Sequence, residues 1–138
     1  MAGAVEGARA VPVAEGEDPW TEDELDEVRA ELESDIQRME RAIATAERGL
    51  ERLFDDGTEG AGRDPADVGS TNFERDQEMS LTQNAREMLE QAQLALRLFD
   101  SGEYGTCESC GRPIGKDRLQ VFPRATLCMP CKQREERR

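Results

Sequence analysis

Arg63-Asp64-Pro65-Ala66-Asp67-Val68-Gly69-Ser70 separates two long stretches of helical pattern, and the chain reads outward from it in both directions. Asp before Pro and close to Gly is turn chemistry. Gly57, Gly60 and Gly62 lie just upstream, so the spacing predicts a loop over 57–71. Taken by themselves, Asp64 and Asp67 are ordinary turn acids. Their interest depends on what the flanking segments hold in place.

Upstream, Thr21-x-x-Glu24 fits a capping box, and Trp20 with Leu25 fits the hydrophobic staple that accompanies one. Apolar residues then recur at Leu25, Leu32, Met39, Ala46 and Leu53, with a second series at Ile36, Ile43 and Leu50. Steps of four and three mark a coiled-coil seam, interrupted at Arg29. Gly57 is the candidate C-cap. Downstream, Thr71-x-x-Glu74 is a second capping box, which predicts a helix starting near Asn72. Its seam is Leu81, Ala85, Met88, Ala92, Ala95 and Phe99, with acids at Glu74 and Glu78. Two helices of similar length with a short connection should lie antiparallel. Phe54 should then approach Phe73, and Leu25 the segment near Gly102. A bundle of three or four helices is the alternative, but the remaining chain supplies no third long amphipathic stretch. Helices of this length would hold residues 57–71 roughly 50 Å from the other end of the hairpin.

Composition agrees with a narrow seam. Of 138 residues, 36% are hydrophobic and only 4% aromatic, too little for a thick core. The net charge of -13 opposes nonspecific attraction to nucleic-acid phosphate and favours a basic protein partner. The acids concentrate in the first 60 residues, while the last 38 are net basic. Residues 1–20 lack periodicity and read as a disordered tail. No apolar run approaches a membrane span, and no signal-peptide pattern opens the chain, so a cytoplasmic, membrane-free location is expected.

Cys107-Glu108-Ser109-Cys110 and Cys128-Met129-Pro130-Cys131 are two CxxC pairs with 17 residues between them. Each pair can present two sulfurs to one ion. Together they make a closed tetrahedral four-thiolate site for one structural Zn²⁺, with no open coordination position for catalysis. Oxidation to disulfides is the other chemistry available to such pairs. Gly111 follows the first pair at a tight-turn position. Arg118-Leu119-Gln120-Val121-Phe122-Pro123 reads as a short β-like or irregular segment, and 132–138 as about two turns of helix. The expected fold is therefore mainly α. A long antiparallel coiled-coil hairpin (21–101) is followed by a small four-cysteine zinc finger with a short C-terminal helix (102–138).

The run Gly105-Thr106-Cys107-Glu108-Ser109-Cys110-Gly111-Arg112-Pro113-Ile114-Gly115, then Arg118-Leu119, Pro123 and Leu127-Cys128-x-x-Cys131-Lys132, resembles the zinc finger of the DksA/TraR family of transcription regulators. The order of hairpin and finger matches too. The resemblance implies a noncatalytic factor that binds bacterial RNA polymerase. It implies that the hairpin tip enters the secondary channel and modulates initiation. The family tip motif, Asp-x-x-Asp-x-Ala, falls here on Asp64, Asp67 and Gly69, with glycine at the alanine position. The resemblance also implies synergy with the alarmone ppGpp. Of its basic contact positions Lys132 is kept, while Gln91 and Phe122 replace the others, removing charge that holds phosphate. Arg118 and Arg124 are the nearest candidate replacements.

Two other readings stay open. A transcript-cleavage factor would use the tip acids to help hold a catalytic metal. A nucleic-acid-binding zinc protein would use Arg112, Lys116, Arg118 and Arg124, against the strongly acidic balance of the chain. No sequence-specific DNA binding is expected. The apolar stripe reads as an intramolecular seam, so a monomer is expected.

Overall fold

The computed structural model describes residues 11–58 and 65–137, with side chains described at 11–52, 69 and 72–137. Among the described residues four helices follow in order: α1 (Glu22–Thr58), α2 (Pro65–Ser101), α3 (Lys116–Val121) and α4 (Met129–Glu136). Among the described residues the only β pairing is an isolated antiparallel bridge between Thr106 and Pro113.

α1 begins as its sequence requires. Thr21 N–H donates to Glu24 Oε1 at 2.9 Å, and Glu24 N–H donates to Thr21 Oγ1 at 3.1 Å, a reciprocal capping box. α2 starts earlier than expected. It runs from Pro65, so residues 65–70 are helical, and the second capping box at Thr71 lies inside the helix. α1 likewise runs through Gly57 to Thr58. Of the loop expected at 57–71, residues 57–58 and 65–71 are helical, and 59–64 lie outside the described region. Pro65 explains the new start, because its fixed φ suits the first helical position, where its missing N–H costs nothing.

The long helices pack as an antiparallel hairpin, in a register that differs from the expected one. α1 buries Leu25, Val28, Leu32, Asp35 and Met39, so the second series is Val28 and Asp35. Arg29 therefore does not interrupt the seam. It borders it and grips Asp100 of α2 with two hydrogen bonds, both 3.1 Å. On α2, Phe99, Ala95 and Ala92 are buried as expected, but Leu81 is 57% exposed and Thr82 is buried in its place. The Thr82 hydroxyl is satisfied by the Glu78 carbonyl at 2.8 Å, the i−4 bond open to a helical threonine. Phe73 is 68% exposed, and its expected partner Phe54 has a side chain outside the described region.

The described residues form two compact units, and the division crosses both long helices rather than falling after Ser101. Gln37–Leu89 is one unit. The other joins the residues up to Ile36 with those from Glu90 onward. Its core brings Leu25, Val28 and Leu32 of α1 and Ala95 and Phe99 of α2 together with Tyr104, Ile114, Leu119 and the cysteines. Tyr104 stacks at a tilt on Phe99, ring centres 5.4 Å apart, and its hydroxyl donates to the Pro123 carbonyl at 2.6 Å.

Val11 and Trp20 pack into this core, so residues 11–20 are anchored to it rather than a disordered tail, while residues 1–10 lie outside the described region. Val11 is buried over Gly105, where an added Cβ would come within 2.9 Å of Val11 Cγ1. Glu17 supplies what α3 lacks. The N-cap of α3 is Gly115, which has no side chain, and Glu17 accepts from the backbone N–H groups of Lys116 at 2.8 Å and Asp117 at 2.9 Å. Its carboxylate completes a helix start 99 residues away in sequence. The segment from 118 to 123, expected as β-like, is consequently mostly the helix α3.

Lys116 ties the same corner to α1. Its ammonium meets Glu24 Oε1 at 2.7 Å and lies over the Trp20 ring. The side-chain bond from Lys116, then the Thr21 N–H, hold the Glu24 carboxyl down to about 2. The Glu17 carboxyl is also held below its ordinary value of 4.5. Hydrogen bonding from Asp117 does this first, then burial opposes it, and the N–H of Lys116 and of Ala14 lower it further. A depressed carboxyl contributes stability above its unfolded pKa and loses it as pH falls through its folded pKa. Glu17→Gln should therefore lower stability at pH 7 by about 1 kcal/mol, the usual cost of a lost cap. Urea denaturation should show that gap closing as the pH falls below 4.5.

Candidate functional site

Two backbone turns build the sulfur cluster. In the first, Cys107 N–H donates to the Arg112 carbonyl at 2.8 Å, and Gly111 N–H to the Cys107 carbonyl at 2.9 Å. Gly111 sits at φ +77°, a left-handed turn position suited to glycine. In the second, extended Cys128 caps α4, and Lys132 N–H returns to the Cys128 carbonyl at 2.9 Å. Pro130 fits in the first turn of that helix, which starts three residues earlier than the sequence suggested. Glu108 N–H donates to the Thr126 carbonyl at 3.0 Å, joining the two turns.

The four Sγ atoms of Cys107, Cys110, Cys128 and Cys131 all lie within 4.8 Å of one another. Cys110 and Cys128 are 3.7 Å apart. A tetrahedron of sulfurs with Zn–S near 2.3 Å has an edge of roughly 3.8 Å, so the donor set fits a closed zinc site. None of the four cysteines is in a disulfide; three are buried and Cys110 is exposed. Burial would raise the Cys107 thiol, but N–H groups of Cys128, Cys110 and Ser109 outweigh it and bring it to about 6. Cys131 is pushed up to about 12, first by its bond to the Cys128 sulfur and then by burial. Zinc binding requires all four sulfurs as thiolates, so loading the site releases protons.

Comparison with known proteins agrees with this geometry. The Prokaryotic dksA/traR C4-type zinc finger matches residues 102–137. Transcription factor DksA2 from Pseudomonas aeruginosa superimposes with a TM-score of 0.67 at 30% identity, over 84% of this chain and 85% of that one. The chain belongs to the DksA/TraR family. Among its relatives, the RNA polymerase-binding transcription factor DksA of Caulobacter vibrioides is 37% identical over 75 residues, 54% of this chain and 53% of that protein. The Haemophilus influenzae factor of the same name is 30% identical over 93 residues, 67% of this chain and 63% of that protein. The chain thus spans about half the length of the first of these relatives and under two thirds of the second. As a member of this family, it carries one structural zinc ion on its four cysteines.

The other anticipated site residues fall in separate places. Asp64 lies outside the described region. Asp67 is in the first turn of α2, with its side chain outside the described region. Gly69 is exposed within α2, and among the described residues an added Cβ would meet nothing within 4 Å. Lys132 is on α4, 3.8 Å from Glu136. With Gln91 and Phe122 it lines one groove of about 700 Å³. Arg118 and Arg124 line the same groove, with their guanidinium carbons 5.9 and 5.6 Å from the Phe122 ring centre. Sequence reading had these five residues but not their convergence, which depends on the helical turn of α3.

Metal analysis should give one zinc per chain, and Cys131→Ser should lose it. Because Trp20, the single tryptophan, packs against a core that includes Cys107, Cys128 and Cys131, chelation should red-shift its emission. Unchanged emission in metal-free protein would separate the finger from that core. Gly69→Ala should meet no steric resistance and stabilise the α2 start by about 0.5–1 kcal/mol, read as slower amide exchange there.

Proposed function

We propose that this chain is a noncatalytic regulator of transcription that binds bacterial RNA polymerase directly. In this reading it presents the α1–α2 connection, with Asp64 and Asp67, to the polymerase secondary channel. The observation that carries the proposal is the match to transcription factor DksA2 over most of both chains, hairpin and finger together. The names of the Caulobacter and Haemophilus relatives support polymerase as the partner. Chemistry is consistent with this. Exposed carboxylates near a catalytic centre can meet basic side chains or share a Mg²⁺ held mainly by another protein, but they cannot hold a metal alone. The closed four-sulfur site serves folding, not catalysis.

Gly69 occupies the family alanine position, and the open space around it leaves room for the missing methyl. Its effect is on helix stability rather than on fit. Lys132 is the candidate ppGpp or polymerase contact kept from the family, and Arg118 and Arg124 stand near it in place of the charge that Gln91 and Phe122 lack, but Glu108, Glu135 and Glu136 line the same groove and oppose a phosphate there. The protein acts as a cytoplasmic monomer, without specific DNA recognition.

Asp64→Asn with Asp67→Asn tests the proposal. The double variant should bind purified polymerase as the parent does and lose most of its effect on initiation in a promoter assay. Regulation equal to the parent's would refute the role of the acids. Shortening of RNA by backtracked polymerase, dependent on both aspartates, would instead make the chain a cleavage factor.

A further inference from the structure

The Gln37–Leu89 unit carries a groove between α1 and α2 of about 710 Å³. Its floor is apolar and small: Met39, Ala46 and Gly49 from α1, Ala85 and Met88 from α2. Leu81 stands at its edge, 57% exposed. Small residues leave this part of the seam unfilled. The nearest approach to an added Cβ at Gly49 is the Glu78 carboxylate, at 4.0 Å.

The wall on α1 is basic. Arg41, Thr45, Arg48 and Arg52 follow at steps of four, three and four, which places them on one face of the helix. Arg41, Thr45 and Arg52 line the groove, and the Arg48 guanidinium donates to the Thr45 hydroxyl at 3.3 Å. This stripe stands out in a chain of net charge -13. Over Arg41–Arg52 it runs roughly 16 Å, three turns of helix.

We propose that this groove is a docking site for an acidic amphipathic helix of a protein partner, which lies beside α1 and α2 as a third helix. Apolar side chains of that helix seat on Ala46, Gly49 and Ala85, and its flanking carboxylates meet Arg41, Arg48 and Arg52. Helix-in-groove recognition needs this pairing of an apolar floor with a charged edge. A nucleic-acid backbone would use the arginines but not the floor, and the charge of the whole chain repels it. A second copy packed through the same groove would bring one arginine stripe against the other, a like-charge contact that disfavours it. The inference concerns the chemistry of the groove and stands whether or not the tip acids act on polymerase.

The test uses the zinc-loaded full chain, labelled with ¹⁵N, and a 14-residue helical peptide with a Leu/Ala seam flanked by glutamates. Saturable binding, with amide shifts centred on Ala46 and Gly49, is the expected result. Affinity should fall as salt rises. The charge reversal Arg41→Glu with Arg48→Glu should weaken binding by about tenfold or more and create affinity for the same seam flanked by lysines. The milder Arg48→Gln with Arg52→Gln should show a smaller loss in the same direction. The proposal is overturned by lack of saturation up to about 1 mM, a range that includes weak complexes. It is also overturned by equal affinity for the two peptides, by tighter binding of a thymidine 12-mer, or by self-association that occupies the groove.

Discussion

Four sulfurs within 4.8 Å of one another are the constraint on which the finger and its surroundings depend. Between the two cysteine pairs lie 17 residues with one six-residue helix and a single bridge at their start, too little regular structure to hold itself. Zinc binding is folding free energy in such a segment. Its benefit extends beyond the finger, because Cys107, Cys128 and Cys131 share a core with Leu25, Leu32 and Phe99 of the long helices. Once the sulfurs are fixed, Tyr104 and Leu119 become the buried centre, and the finger and the hairpin ends bury one core.

The polar contacts around that core fix direction more than they add energy. Arg29 meets Asp100 with both partners substantially exposed, a setting where an ion pair contributes little. Its bidentate geometry still fixes which turn of α1 faces which turn of α2. Glu17 and Lys116 do the equivalent for the arm at residues 11–20. A carboxylate caps α3, while an ammonium reaches back to Glu24. The Gln37–Leu89 unit is built differently. Its seam uses Ala46, Gly49 and Ala85 rather than Leu and Phe, and it buries less.

Much of this was legible in the residues. The capping box at Thr21 and Glu24 and the two CxxC pairs follow from local spacing rules, and the antiparallel hairpin from two long helical patterns with no third to pack against them. The register was harder. Val28 and Asp35 take the second series that an apolar count gives to Ile36, Ile43 and Leu50, and this register leaves Arg29 at the edge, where it meets Asp100. Leu81 and Thr82 exchange roles, and burial of Thr82 is tolerated because its hydroxyl bonds the Glu78 carbonyl. The start of α2 turned on choosing between Pro65 and Thr71, both valid start signals. The arm could not be read locally at all. Val11 and Glu17 are ordinary until Gly105 and the uncapped start of α3, about a hundred residues away, give them partners. At the candidate site, the cysteines were fully legible. The convergence of Phe122, Arg118, Arg124 and Lys132 needed α3 to be helical first.

The central claim is that residues near the α1–α2 connection work inside polymerase. A photoreactive amino acid in place of Gly69 tests it most directly, since that position is exposed and has room for a side chain. Irradiation with purified bacterial polymerase should cross-link the catalytic subunits at peptides lining the secondary channel. Cross-links confined to the outer surface of the enzyme, or none under conditions where the chain binds, would contradict the claim.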